Sequence, residues 1–108
     1  MPHSPKRRLA AILFTDMAGF TNLMQVDEAH ALQLRDRHRR VLREEHERFH
    51  GEIIHYFGDG TLSLFDSVVE AVSCAVAMQQ ALRQAPRVPL RIGIHTGDVV
   101  LDGEGVFG

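Results

Sequence analysis

The sequence holds little cysteine, little net charge and no long apolar run, and each shortage excludes something. Cys74 is the only cysteine, so no disulfide can close within the chain. It falls among apolar residues at helical spacing and is expected to pack as a small core hydrophobe. That usage suits a reducing compartment, and a cytoplasmic location is the expectation. The formal net charge is −2, so there is no global attraction to nucleic acid or to an anionic membrane. No stretch approaches the length of a membrane-spanning helix. Lys6-Arg7-Arg8 before Leu9-Ala10-Ala11-Ile12-Leu13-Phe14 has the outline of a signal peptide. Its apolar run is too short, and Asp16 follows without a cleavage site. Repeats and low-complexity segments are also missing.

What is present is ordinary for one small globular domain. The chain has 108 residues, 44% apolar and 24% charged, enough to bury a core with little margin. Residues 1–8 read as a polar lead-in, and 9–108 as the domain. Leu9–Thr15 reads as a strand apolar on both faces, hence central in a sheet. Met17–Thr21 is a turn. Asp27 is placed to cap a long helix reaching His50, with Leu34, His38, Val41, Leu42 and Phe49 on its buried side. Its other faces carry arginines and glutamates, read as a solvated surface. Gly51 reads as its C-terminal stop.

Glu52–Phe57 and Thr61–Phe65 read as strands joined by the tight turn Gly58-Asp59-Gly60. Ser67-Val68-Val69-Glu70 is a capping box opening a second helix, expected to bury Val68, Val72, Ala75, Val76 and Leu82. Leu90–His95 is a further strand. Gly97 reads as a bend, Asp98–Leu101 as a following strand, and Asp102–Gly108 as turn-like.

This order, strand-helix-strand-strand-helix-strand, predicts an α+β fold with a ferredoxin-like βαββαβ core. The right-handed crossover rule then gives the sheet order four-one-three-two. In that order the turn at Asp59 lies beside the carboxyl end of strand one, where Asp16 sits. Two carboxylates at one edge repel unless a cation lies between them. One or two Mg²⁺ or Mn²⁺ ions, shared with substrate phosphates, would satisfy them. Taken singly, each aspartate also reads as an ordinary turn or cap residue.

The motifs around these residues carry a resemblance. Phe14-Thr15-Asp16-Met17-Ala18-Gly19-Phe20-Thr21 resembles the signature of class III adenylate and guanylate cyclase catalytic domains. Phe57-Gly58-Asp59-Gly60-Thr61-Leu62 resembles their metal-binding hairpin. Leu90-Arg91-Ile92-Gly93-Ile94-His95-Thr96-Gly97-Asp98-Val99-Val100 is similar to a later core strand of theirs. The resemblance implies a dimer with its active site at the subunit interface. It implies two metals on Asp16 and Asp59, with the Met17 carbonyl as a further ligand. Gly19, Phe20 and Thr21 would cradle phosphates, Arg91 would contact them, and Gly58 would shape the substrate side of the hairpin. The implied reaction forms a cyclic nucleotide and pyrophosphate from ATP or GTP.

Two departures stand out. His55 occupies a position that commonly carries lysine in the family's adenylate cyclases and glutamate in its guanylate cyclases. Imidazole can donate or accept to a base edge, so the purine is left open. The chain also stops at Gly108, before the asparagine and arginine that the family uses in the transition state. The expectation is therefore a domain truncated at its C-terminal end and inactive alone, with no catalytic residue beyond the metal ligands.

Three rival readings remain. A non-catalytic nucleotide-binding or dimerisation module fits the same residues. A diguanylate cyclase or polymerase palm shares the core but needs a different hairpin. His46-Glu47-Arg48-Phe49-His50 matches the zinc-protease pattern H-E-x-x-H, with Glu70 as a conceivable third ligand. Against zinc, His50 falls where the helix should fray, and Glu70 is accounted for by its capping box.

Overall fold

A computed structural model describes residues 6–102 and 105–107. Strand β1 (Lys6–Met17) leads to α1 (Phe20–Val26) and α2 (Glu28–Arg48). Then come β2 (Glu52–Phe57), β3 (Gly60–Phe65), α3 (Val68–Arg83), β4 (Leu90–Asp102) and β5 (Gly105–Phe107). The five strands form one sheet in the order β2-β3-β1-β4-β5, every neighbouring pair antiparallel. The expected order of the first four strands is therefore the observed one. β1 and β2 run parallel, with β3 returning between them.

Alternation along β1 separates two faces. Ala11, Leu13 and Met17 join a core with Leu34, Val41 and Leu42 of α2 and Ala71, Cys74, Met78 and Leu82 of α3. Ala10 and Ile12 point the other way and pack with Leu64 and Val99. Both long helices thus lie on one face. Asp27 caps α2 as expected, its carboxylate accepting from the His30 N–H at 3.1 Å. Ser67 caps α3, its hydroxyl oxygen accepting from the Glu70 N–H at 3.3 Å.

Several expectations fail for identifiable reasons. The stretch after Gly19 is already helical, because Gly19 adopts a left-handed φ of 75° and turns the chain into α1. α3 does not bury Val68, Val72 and Val76, which are about half exposed. The smaller residues Ala71 and Cys74 seat it on the sheet, and the valines form a parallel row on an adjoining face. β4 runs unbroken through Gly97, which pairs with Ala10. Gly105–Phe107, in the expected turn-like tail, adds a strand to β4. β1 begins at Lys6 rather than Leu9.

Gly51 is not the left-handed stop of α2; that conformation belongs to His50, at φ 62°. What Gly51 provides is room. A Cβ there would lie 2.5 Å from Phe65 Cζ and 2.6 Å from His46 Cδ2.

Two histidines of α2 are buried in the core, His38 and His46. The His46 Nδ1–H donates to the Leu42 carbonyl at 2.7 Å, so Nε2 is left to accept the Ser63 hydroxyl at 2.7 Å. Burial pushes the His46 pKa down, partly offset by the Leu42 bond. Burial, helped by the Arg39 charge, takes His38 down to about 4. Cys74 packs beside His46, and burial raises its thiol to about 12, consistent with an inert core residue.

Two predictions follow from this packing. Gly51→Ala should destabilise the fold by about 1–3 kcal/mol through overpacking, despite the lower chain entropy of alanine. A raised urea midpoint would contradict the contact. The depressed histidines mean that the unfolded chain binds protons the folded one refuses. Stability should be complete above pH 6.5 and fall as pH drops toward 4, with His38 accounting for about 3 kcal/mol at most. His38→Phe should flatten that decline in denaturant titrations across the window.

Candidate functional site

The site sits where β1 ends between β3 and β4. Asp16 pairs across the sheet with Gly60 on one side and with Arg91 on the other. This register sets Arg91 opposite Asp16, and the two form a bidentate ion pair, Nε to Oδ1 at 2.7 Å and Nη2 to Oδ2 at 3.0 Å. The hydrogen bond and charge of Asp16 raise the pKa of the Arg91 guanidinium, with a smaller contribution from Asp59. Both side chains are solvent-accessible, so the pair orients the carboxylate more than it stabilises the fold.

Asp59 reaches the same edge from the β2–β3 turn, whose two loop residues are Gly58 and Asp59. Gly58 takes a positive φ of 49° there. The Met17 N–H donates to the Asp59 carbonyl at 3.2 Å, tying the turn to the end of β1. Arg39 of α2 donates to the Gly58 carbonyl at 2.9 Å and lies 4.9 Å from the Tyr56 ring centroid. The turn is therefore held from two sides. On the other side of the edge, Ala18 N–H donates to the Pro89 carbonyl at 3.0 Å and fixes the Gly19 turn.

Two cavities open here. One, of about 360 Å³, is lined by Asp16 and Arg91 together with Phe14, Phe57, Gly60 and Gly93, among others. The other, of about 280 Å³, is lined by Met17, Gly19, Phe20, Thr21, Asn22, Asp59 and Arg91. Arg91 borders both. Asp16, Met17, Asp59, Gly19, Phe20, Thr21 and Arg91 are thus brought together. His55 is not: it is exposed on β2, its ring 4.4 Å from that of Phe57, and it lines neither cavity. Gly58 shapes the turn without lining a cavity.

Behind the edge, on the helix-covered face, lies a chain of buried polar groups. Thr15 Oγ1 is 2.6 Å from Thr61 Oγ1 and 3.2 Å from His38 Nε2. His38 senses the charges of Asp59 and Asp16, both of which oppose its pKa depression. Neither this network nor the Arg39 contact was read from the sequence. Arg39 looked like one more solvated arginine, and its nearness to Tyr56 exists only in the fold.

The zinc-protease reading is overturned. Both ring nitrogens of His46 are engaged in the core, and Glu47 is exposed. His50 lies beyond the end of α2, turned away by its left-handed backbone, with Nδ1 3.1 Å from Glu70 Oε2. The two histidines do not converge. Among the described residues no group of three or more histidine, cysteine, aspartate or glutamate side chains is placed to hold a metal. No described helix is long and apolar enough to cross a membrane.

Comparison with known proteins finds chains of similar sequence and fold. No protein-family profile matches the chain. Putative adenylate cyclase 3 of Rhizobium meliloti (strain 1021) is 40% identical over 97% of the chain, which spans 19% of that protein. The crystal structure of an adenylate/guanylate cyclase/hydrolase from Silicibacter pomeroyi superposes with a TM-score of 0.85 at 38% identity. That match covers 96% of this chain and 65% of that one. The guanylyl cyclase Cya2 superposes with a TM-score of 0.83 at 27% identity, over 98% of this chain and 66% of that one. On sequence and fold together, the chain belongs to the class III adenylate and guanylate cyclase domains.

Proposed function

We propose that this chain supplies the metal- and phosphate-binding edge of a purine nucleotide cyclase that converts ATP or GTP to a 3′,5′-cyclic nucleotide and pyrophosphate. The observation that carries the reading is the placement of Asp16 and the Asp59 turn at one sheet edge, with Arg91 bordering both adjoining cavities.

The donor set fits hard dications. Asp16, Asp59 and the Met17 carbonyl offer only oxygen, and two carboxylates leave coordination positions for substrate phosphates, as Mg²⁺ and Mn²⁺ prefer. Two such ions, bound there, would neutralise phosphate charge and favour ionisation of the attacking hydroxyl. The protein residues do the positioning. Backbone N–H groups at Gly19 and at Phe20 and Thr21, where α1 begins, together with the Arg91 guanidinium, meet phosphate oxygens. Arg39 and the Met17 N–H hold the Asp59 turn in place. The ribose 3′-oxygen attacks the α-phosphorus and passes its proton to solvent water. The bond from that phosphorus to the oxygen bridging to the β-phosphate breaks, and pyrophosphate leaves.

In this reading the working unit is a homodimer in the cytoplasm, where nucleoside triphosphates are available. The relatives named as cyclases support the reaction class. His55, exposed and outside both cavities, leaves the substrate class as a purine nucleotide.

Mn²⁺ with nucleotide should raise the melting temperature, by linkage equivalent to about 2.7 kcal/mol at a hundredfold excess over Kd. Asp16→Asn and Asp59→Asn should each remove that rise. In a cyclase assay of the full-length protein with Mn²⁺ and ATP or GTP, either substitution should bring turnover to background. Nucleotide binding by the full-length dimer without turnover of either purine would assign it instead to a non-catalytic binding module.

A further inference from the structure

We propose that His38 is a positioning residue for this edge: through Thr15 and Thr61 it sets how the strand ends bearing Asp16 and Asp59 lie against each other. The inference rests on the metal-binding reading above and extends it to a residue of α2 that contacts neither carboxylate.

Packing alone does not account for His38. It shares the buried row of α2 with Ala31, Leu34, Val41, Leu42 and a second histidine, His46, where leucine would fill space without a polar ring. It is only 1% exposed, and its Nδ1 has no hydrogen-bond partner among the described residues. Burying a half-satisfied imidazole costs stability. The other nitrogen is directed at Thr15 Oγ1, which also meets Thr61 Oγ1. Thr15 immediately precedes Asp16, and Thr61 follows the Asp59-Gly60 pair. Thr15 and Thr61 are Cα partners across the β1–β3 ladder.

Because side chains alternate, the threonines face the helices while Asp16 faces the open side. A shift of the threonine pair therefore moves the carboxylate on the opposite face. The network joins α2, β1 and β3 at the last rung before the carboxylates.

His46 is an internal control. It lies on the same helix, equally buried, and bonds Ser63 of β3. Both its nitrogens are satisfied, and its strand contact is farther from the edge. It holds the core without touching the rung at Thr15.

The test measures Mn²⁺ binding by calorimetry, at a temperature where circular dichroism shows each variant folded. His38→Phe and Thr15→Val should each weaken Mn²⁺ by about 10- to 100-fold, the usual effect of removing a group that orients a metal ligand. The double variant should bind no more weakly than the worse single one, since both break one chain of contacts. Thr15→Ser, which restores the hydroxyl, should bind like wild type. His46→Phe should lower the melting temperature and leave the Mn²⁺ affinity unchanged. If His38→Phe and Thr15→Val bind Mn²⁺ like wild type while Asp16→Asn does not, the positioning role is overturned and the metal site stands. If Asp16→Asn also binds Mn²⁺ like wild type, the metal-site reading falls and takes this proposal with it.

Discussion

The register of β1 is the constraint on which the rest depends. β1 is hydrogen-bonded on both sides, to β3 and to β4, and it carries the alternation that separates core from site. Leu13 is fully buried against the helices, while Asp16 sits on the other face at the strand's end. A slip of one residue would exchange those faces, placing the carboxylate on the helix-covered side and taking Leu13 out of its contacts with the helices. The core therefore enforces the register, and the register brings Gly60 and Arg91 to either side of Asp16.

The helices contribute to the site as well as to the core. α2 packs its apolar row against the sheet, and the same helix sends Arg39 to the Gly58 carbonyl and His38 to Thr15. The hairpin bearing Asp59 is consequently fixed by a helix as well as by its neighbouring strand. α3 has a different part. Its small buried residues bring it close to the sheet, and Gly51 leaves room for Phe65 and His46 beneath the end of α2. These contacts define where the sheet edge lies, and the edge defines the site.

Much of this was legible in the sequence, because local chemistry and topology are written there. The caps at Asp27 and Ser67, the Gly-Asp turn and the apolar run of β1 each have a local physical cause. The sheet order followed from chain order and crossover handedness, and it placed Asp59 beside Asp16. What could not be read was decided by tertiary contact. α3 offers two apolar rows at helical spacing, and only packing selects Ala71 and Cys74 over the valines. Gly97 looked like a break because its strand partner, Ala10, is distant in sequence. Gly51 looked like a cap when its cause was steric. At the site, the Asp16–Arg91 pair and the Thr15–His38 contact bring together residues with no shared local pattern. His55 drew attention by position in a motif, and the fold leaves it outside both cavities.

The central claim is that Asp16 and Asp59 together form a divalent-cation site. Anomalous diffraction from crystals grown with Mn²⁺ and a nucleoside triphosphate lacking the 3′-hydroxyl tests it most directly. The account predicts manganese density at the end of β1, coordinated by both aspartates and by phosphate oxygens. Manganese bound elsewhere, or nucleotide bound with no metal at these two side chains, would contradict it.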